Sequence, residues 1–177
     1  MTDMATIDAY GVLSEPMTLT IQRILPGPAE RIWSWLTESD LRARWLAAGD
    51  MRPEVGSEFE FVWRNDGLTD PPGARPEGQG GEHRMASKIV EFDPPRRLVF
   101  TWDESGDVSI ELEPKGDRVL LTLTHRRLPR RSMLVGVGAG WHAHLDILEA
   151  RAGGVEPEPF WDHWAKLRDA YEARIPA

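Results

Sequence analysis

Four strand-like segments follow one another between residues 84 and 125, and they restrict the fold more than any other feature of the sequence. They lie at about 84–92, 97–103, 107–113 and 118–125, with short turn signals between them. Because connections this short cannot contain a crossover helix, neighbouring strands must run antiparallel. Residues 17–22 and 58–63 alternate apolar and polar side chains, which predicts further strands. The expected result is a curved antiparallel sheet of about six to seven strands.

Helices are predicted at two places in the chain. Two short helices follow the first strand, where Pro28 suits a first helical position. Two more, at about 140–152 and 159–174, end the chain. This order of elements is typical of the α+β class. Residues 1–16 are interpreted as an N-terminal arm, and residues 17–177 as a single domain.

The composition excludes several classes of protein. A net charge of −8 over 177 residues disfavours a nucleic-acid-binding protein. The absence of cysteine excludes disulfides and thiol catalysis. No apolar run approaches a membrane span, and the first residues lack a secretory pattern, so we expect a cytoplasmic protein without a membrane partner. We expect no cofactor, and the sequence predicts no oligomeric state.

The segment from Gly140 to Asp146 contains two histidines and an aspartate, which at first sight is a metal-binding pattern. Each residue of a helix turns by about 100°, so His142 and His144 point in nearly opposite directions and cannot chelate one ion. We expect His142 to face water beside Asp146, four residues on. We expect His144 to face the sheet. No metal site is predicted from this helix.

The other motifs give no catalytic residue. The glycines at 136, 138 and 140 lack dinucleotide-binding spacing and are interpreted as a flexible segment before the helix. No serine lies in a nucleophile elbow. The loop over residues 64–82 is rich in glycine, proline and acidic residues, so a mobile surface segment is expected rather than a lid.

Aromatic side chains supply the candidate binding site. Eight tryptophans are many for a chain of this size. On alternating strand positions they share faces with phenylalanines, and a sheet curved around the helix would bring them together. Either they fill a core, or they line an apolar cavity with a few polar groups. The candidate ligand-binding residues are Phe61, Trp63, Phe100, Trp102, Trp141, His144 and Leu148.

A series of short motifs occurs in order over residues 17–152. They are Pro28-Ala-Glu-Arg-Ile-Trp33, Trp45-Leu46, Gly56-x-x-Phe59, Asp93-Pro-Pro-Arg-Arg-Leu-Val-Phe-Thr-Trp102 and Gly140-Trp141-x-x-His144-Leu145-Asp146-x-Leu148. This set resembles the activator of heat-shock protein 90 ATPase homologue family, within the START-like (SRPBCC) superfamily. The resemblance implies a helix-grip fold, in which an antiparallel sheet wraps a long C-terminal helix and encloses a cavity.

The resemblance leaves three functions open, because superfamily members include lipid and hormone carriers, polyketide cyclases and a co-chaperone domain. The first is non-catalytic binding of a small apolar or aromatic ligand in the cavity. The second is a protein-interaction or regulatory domain with a chaperone partner. The third is a cyclase- or hydrolase-like enzyme that uses His144 or His125. The arm, the long loop and the second C-terminal helix depart from the family pattern.

Overall fold

A computed structural model describes residues 7–78, 81–103 and 106–176. Seven strands form one sheet: β1 (Val12–Glu15), β2 (Thr18–Pro26), β3 (Glu58–Trp63), β4 (His83–Asp93), β5 (Arg97–Thr101), β6 (Asp107–Lys115) and β7 (Arg118–Arg126). Within the described residues, four α-helices accompany it: α1 (Ala29–Thr37), α2 (Ser39–Arg42), α3 (Arg131–Ala152) and α4 (Phe160–Arg174). A short 3-10 helix covers Asn65–Gly67.

The strand order in the sheet is β1-β2-β7-β6-β5-β4-β3, with every neighbouring pair antiparallel. The short helices α1 and α2 carry the chain from β2 to β3, at the opposite end of this order. Alternate residues of the strands are buried on one face of the sheet, as Leu19 and Ile21 are on β2 and Phe59 and Phe61 on β3. The predicted α+β class, with a curved antiparallel sheet around a C-terminal helix, is confirmed.

Helix α3 begins at Arg131, well before the predicted start near Gly140. The prediction was wrong because three glycines have low helix propensity and looked like a flexible segment. Leu134, Val135 and Ala139 are buried in the same stretch, and their tertiary packing outweighs the propensity of the glycines. Across the described ranges, none of the helices is long and apolar enough to cross a bilayer.

The loop after β3 is held against the start of α4. The backbone N–H of Phe160 donates to Thr69 Oγ1 over 2.9 Å, and that of Trp161 donates to the carbonyl of Pro72 over 2.9 Å. Asp162 Oδ1 in turn accepts from the backbone N–H of Ala74 over 2.8 Å. The expectation of a mobile surface segment is therefore corrected for this part of the loop, which is hydrogen-bonded to α4. Helix α4 supplies partners that the loop's composition could not indicate.

The predicted arm also joins the fold in part. Residues 1–6 of the arm lie outside the described residues. Residues 12–15 form the edge strand β1 on β2, and Tyr10 packs its ring 4.7 Å from that of His142. Tyr171 of α4 accepts a hydrogen bond from the backbone N–H of Gly11 over 2.7 Å. The arm and α4 therefore cover the same face of α3.

A buried arginine organises the turn between α2 and β3. Arg42 is 1% exposed and donates hydrogen bonds to the carbonyl oxygens of Leu36, Thr37, Ala47 and Gly49. Burial lowers the pKa of its guanidinium to about 10, so the group stays charged at neutral pH. Arg42 fixes this segment from its centre, because one side chain satisfies four carbonyls that are separated along the chain.

Candidate functional site

A cavity of about 430 Å³ lies between the N-terminal half of α3 and the end of the sheet formed by β3, β4 and β5. Tryptophans form part of its wall: the rings of Trp63 and Trp102 lie 5.7 Å apart, and those of Trp102 and Trp141 lie 5.4 Å apart. Trp161, at the start of α4, closes another side. Large apolar faces with a few polar groups are typical of sites that bind small molecules.

His144 contributes a polar group to this cavity. Its Nδ1 lies 2.9 Å from the carbonyl oxygen of Trp45. Burial lowers the pKa of His144 to about 4, so the ring is neutral at physiological pH. The hydrogen bond to a carbonyl places the ring hydrogen on Nδ1, which leaves Nε2 as an acceptor. His144 lines the cavity, and its Nε2 can accept a hydrogen bond from a bound molecule.

Asn65 is the second polar group in the cavity wall. Its Oδ1 atom is buried and has no hydrogen-bond partner among the described residues. A buried acceptor without a partner has an energetic cost of about 1–3 kcal/mol. Glu82, His83 and Asp103 also line the cavity, and His83 is exposed.

Two glycines on α3 provide the space. Gly136 and Gly140 lie one turn apart on the same helix face, and both line the cavity. A Cβ atom added at either position would have no atom within 4 Å apart from its chain neighbours and the backbone of its own helix. Gly138 lies on another face, where a Cβ would come within 2.9 Å of the Tyr171 ring. The three glycines therefore have two roles: Gly138 allows close helix packing, and the other two leave the cavity open.

Alanine substitutions should separate these two roles. We expect Gly140→Ala to raise the free energy of unfolding by about 0.5–1 kcal/mol, since alanine favours helix and the new methyl group meets open space. We expect Gly138→Ala to lower it by about 1–3 kcal/mol, because the methyl group overlaps the Tyr171 ring. Urea denaturation of the two variants measures the difference. Equal effects at both positions would contradict the assignment.

The structure divides the predicted ligand-binding residues into two groups. Trp63, Trp102, Trp141 and His144 line the cavity. Phe61, Phe100 and Leu148 are at most 1% exposed and lie in the core without lining this cavity. The sequence analysis missed the other residues that line the cavity, among them Asn65, Gly136, Gly140 and Trp161. The spacing of the two glycines by four residues was the available signal, because it places both on one helix face.

His125 lies behind the cavity wall. It is fully buried on β7, and its Nδ1 accepts a hydrogen bond from Trp141 Nε1 over 3.1 Å. Burial lowers the pKa of His125 to about 4. Its Nε2 has no partner among the described residues. A neutral ring whose Nδ1 accepts from Trp141 fixes the orientation of that indole at the cavity wall.

His142 is buried, contrary to the expectation that it faces water. It is 4% exposed, and its Nδ1 lies 3.0 Å from the Tyr171 hydroxyl oxygen. The predicted proximity to Asp146 is present, with 3.3 Å between His142 Nε2 and Asp146 Oδ2. The exposure was mispredicted because Tyr10 and α4 cover a helix face that is polar in sequence. His142 and His144 do point to different surroundings, as helical geometry requires.

Known proteins resemble the chain in sequence and in fold. The family profile described as Activator of Hsp90 ATPase homolog 1-like protein matches residues 26–153. A Bordetella parapertussis protein solved by NMR is 34% identical, with a TM-score of 0.81 over 100% of this chain and 97% of its own. No curated protein sequence matches.

Two more distant structures share the fold alone. CalU16 from Micromonospora echinospora is 24% identical, with a TM-score of 0.67 over 90% of this chain and 89% of its own. A conserved Enterococcus faecalis protein of unknown function is 18% identical, with a TM-score of 0.64 over 90% of this chain and 86% of its own. Identities this low do not carry ligands or activities from one protein to another.

Proposed function

This chain belongs to the Activator of Hsp90 ATPase homolog 1-like family, and on that premise we propose that it binds a small aromatic ligand in the cavity beside α3 without transforming it. The observation that carries the proposal is the set of three tryptophans, Trp63, Trp102 and Trp141, around about 430 Å³ of space. A chaperone partner and an enzymatic activity stay predictions, because none of the described contacts favours either of them.

The polar groups of the cavity narrow the class of ligand. His144 Nε2 is an acceptor, so it favours a molecule that carries a hydrogen-bond donor. An aromatic alcohol or amine can donate a hydrogen bond to an acceptor and pack its ring against the tryptophans. An anionic ligand is disfavoured because it would be repelled by Glu82 and Asp103, which also line the cavity.

Blocking the cavity tests the proposal. We expect 2-naphthol to bind the wild-type protein in calorimetry and to change its tryptophan fluorescence. Gly140→Leu should weaken this binding at least about tenfold, because the leucine side chain occupies the space that a Cβ at this position enters freely. Ala173→Leu adds a similar side chain at an exposed position of α4 and should leave binding unchanged.

A second comparison tests the polar recognition. 2-Naphthol should bind about five- to tenfold more tightly than naphthalene, since only the alcohol donates a hydrogen bond to the wall. His144→Phe should remove most of that difference, because phenylalanine keeps a ring of similar size but has no acceptor atom. The proposal fails if wild-type protein binds neither compound, or if Gly140→Leu binds 2-naphthol as tightly as Ala173→Leu does.

A further inference from the structure

A second group of chemically active side chains lies on another face of α3, where α4 crosses it. His142 and Asp146 are one turn apart on α3, and His163 reaches the same point from α4. Asp146 Oδ2 lies 3.3 Å from His142 Nε2 and 2.6 Å from His163 Nε2. Each residue offers one donor atom to this cluster, and the three atoms lie within 4.8 Å of one another.

The remaining polar atoms of these three residues already have partners that orient them. His142 Nδ1 lies 3.0 Å from the Tyr171 hydroxyl oxygen, and His163 Nδ1 lies 3.3 Å from a carboxylate oxygen of Glu158. Arg23 Nη2 donates to Asp146 Oδ1 over 2.9 Å. Histidines that bind a metal through Nε2 carry their hydrogen on Nδ1 and donate it to such a partner.

We propose that His142, Asp146 and His163 form a binding site for a divalent transition-metal ion, with Zn²⁺ the best fit. Two imidazole nitrogens and one carboxylate oxygen are a donor set that Zn²⁺ accepts, at about 2.0–2.2 Å from each atom. A tetrahedral ion at that distance holds its ligand atoms about 3.3 Å apart. The separation of 3.3 Å between His142 and Asp146 meets this requirement.

The third ligand must move outward to admit the ion. His163 Nε2 is now at hydrogen-bond distance from Asp146 and has to withdraw by somewhat less than 1 Å to reach that spacing. His163 can do so because its side chain is 25% exposed, whereas that of His142 is 5% exposed. The ion then takes the place of the hydrogen between the two groups.

An open space beside the cluster leaves room for a fourth ligand. A pocket of about 240 Å³ lies beside the cluster, and its lining includes Asp146, His163, Glu156 and Glu158. These carboxylates favour a cation. Their negative charge offsets the positive charge of Arg23, which is bonded to Asp146, and that of Lys166, which disfavours positive charge near His163. A water molecule or one of the glutamates can complete the coordination. The bound ion would fasten α4 to α3.

Zinc titration of the full chain, freed of metal by a chelator, tests this site. Calorimetry should show one ion per chain, and Co²⁺ should give the visible absorption of a tetrahedral site. His163→Gln should weaken Zn²⁺ binding about 100-fold or more, because a carboxamide is a poor zinc ligand. The glutamine amide still donates to Asp146, so the contact between the helices is preserved.

His83→Gln is the matched control. His83 is an exposed histidine on β4, outside the cluster, and its loss should leave zinc affinity unchanged. Circular dichroism confirms that each variant is folded before titration. The site is refuted if wild-type protein binds no Zn²⁺, or if both variants bind as tightly as wild type. It is also refuted if His83→Gln weakens binding as much as His163→Gln does.

Discussion

Replacing Arg42 with methionine is expected to lower the free energy of unfolding by about 3–5 kcal/mol. Methionine is similar in length and keeps the apolar packing of the side-chain stem. It donates no hydrogen bond, so the carbonyls of Leu36, Thr37, Ala47 and Gly49 lose a donor in a place that water does not reach freely. Each buried acceptor left unpaired costs about 1–3 kcal/mol.

Arg42→Met should alter the cavity as well as lower the stability of the fold. Arg42 holds the segment that carries Trp45 and Leu46, and these residues contact His144 and line the cavity, respectively. Urea denaturation gives the loss of stability, with Arg44→Met as the control. Arg44 is exposed and stacks on Trp35 with its guanidinium 5.0 Å from the ring centroid, so its loss should cost about 1 kcal/mol or less. Similar losses for both variants would contradict the assigned role of Arg42.

Acid should destabilise the protein through His125. Its pKa is about 4 in the folded chain and 6.5 in the unfolded one, because burial disfavours the charged ring. A group with a lowered folded pKa binds more protons when unfolded, so its contribution is fully present above pH 6.5 and is lost as the pH falls toward 4. A difference of this size corresponds to about 3 kcal/mol. Asp107 is the nearby charge that acts in the opposite direction.

His125→Asn isolates this contribution. The asparagine Oδ1 occupies nearly the place of Nδ1 and can accept from Trp141 Nε1, but it does not titrate. The stability of wild-type protein and variant should therefore converge between pH 7 and pH 4, by about 3 kcal/mol. All other titrating groups are common to the two proteins and cancel in the comparison. A difference in stability that stays constant with pH would show that His125 titrates normally.

Local patterns were sufficient for six of the seven strands and for the family, whereas β1 lies in the segment that was interpreted as an arm. Alternation over residues 58–63 predicts β3, and the structure has Glu58–Trp63 as that strand. The resemblance seen in the short motifs is confirmed by the family match over residues 26–153. Both succeed because period-two burial and turn chemistry are properties of neighbouring residues. The predicted start of α3 was wrong because it does not depend on neighbouring residues alone. The glycines there are helical only because the surrounding core stabilises them.

The candidate site was predictable only in part. Trp63, Trp102, Trp141 and His144 could be placed on inward faces, and the structure brings them around one cavity. Whether the interior is filled or open depends on side chains from five elements at once, and in this protein two glycines of α3 leave it open. Asn65 lies in a segment with no periodic pattern, so no local pattern indicates that it lines the cavity.

The sequence by itself determined the antiparallel sheet, its helices and the opposite directions of His142 and His144, because all of these follow from the repeat of a single element. Only the tertiary structure decided what those side chains meet. Helix α4 and Tyr10 bury His142, and α4 brings His163 to Asp146 from 17 residues away in the chain. Contacts between elements depend on how complete faces pack, and that information is distributed over the whole chain.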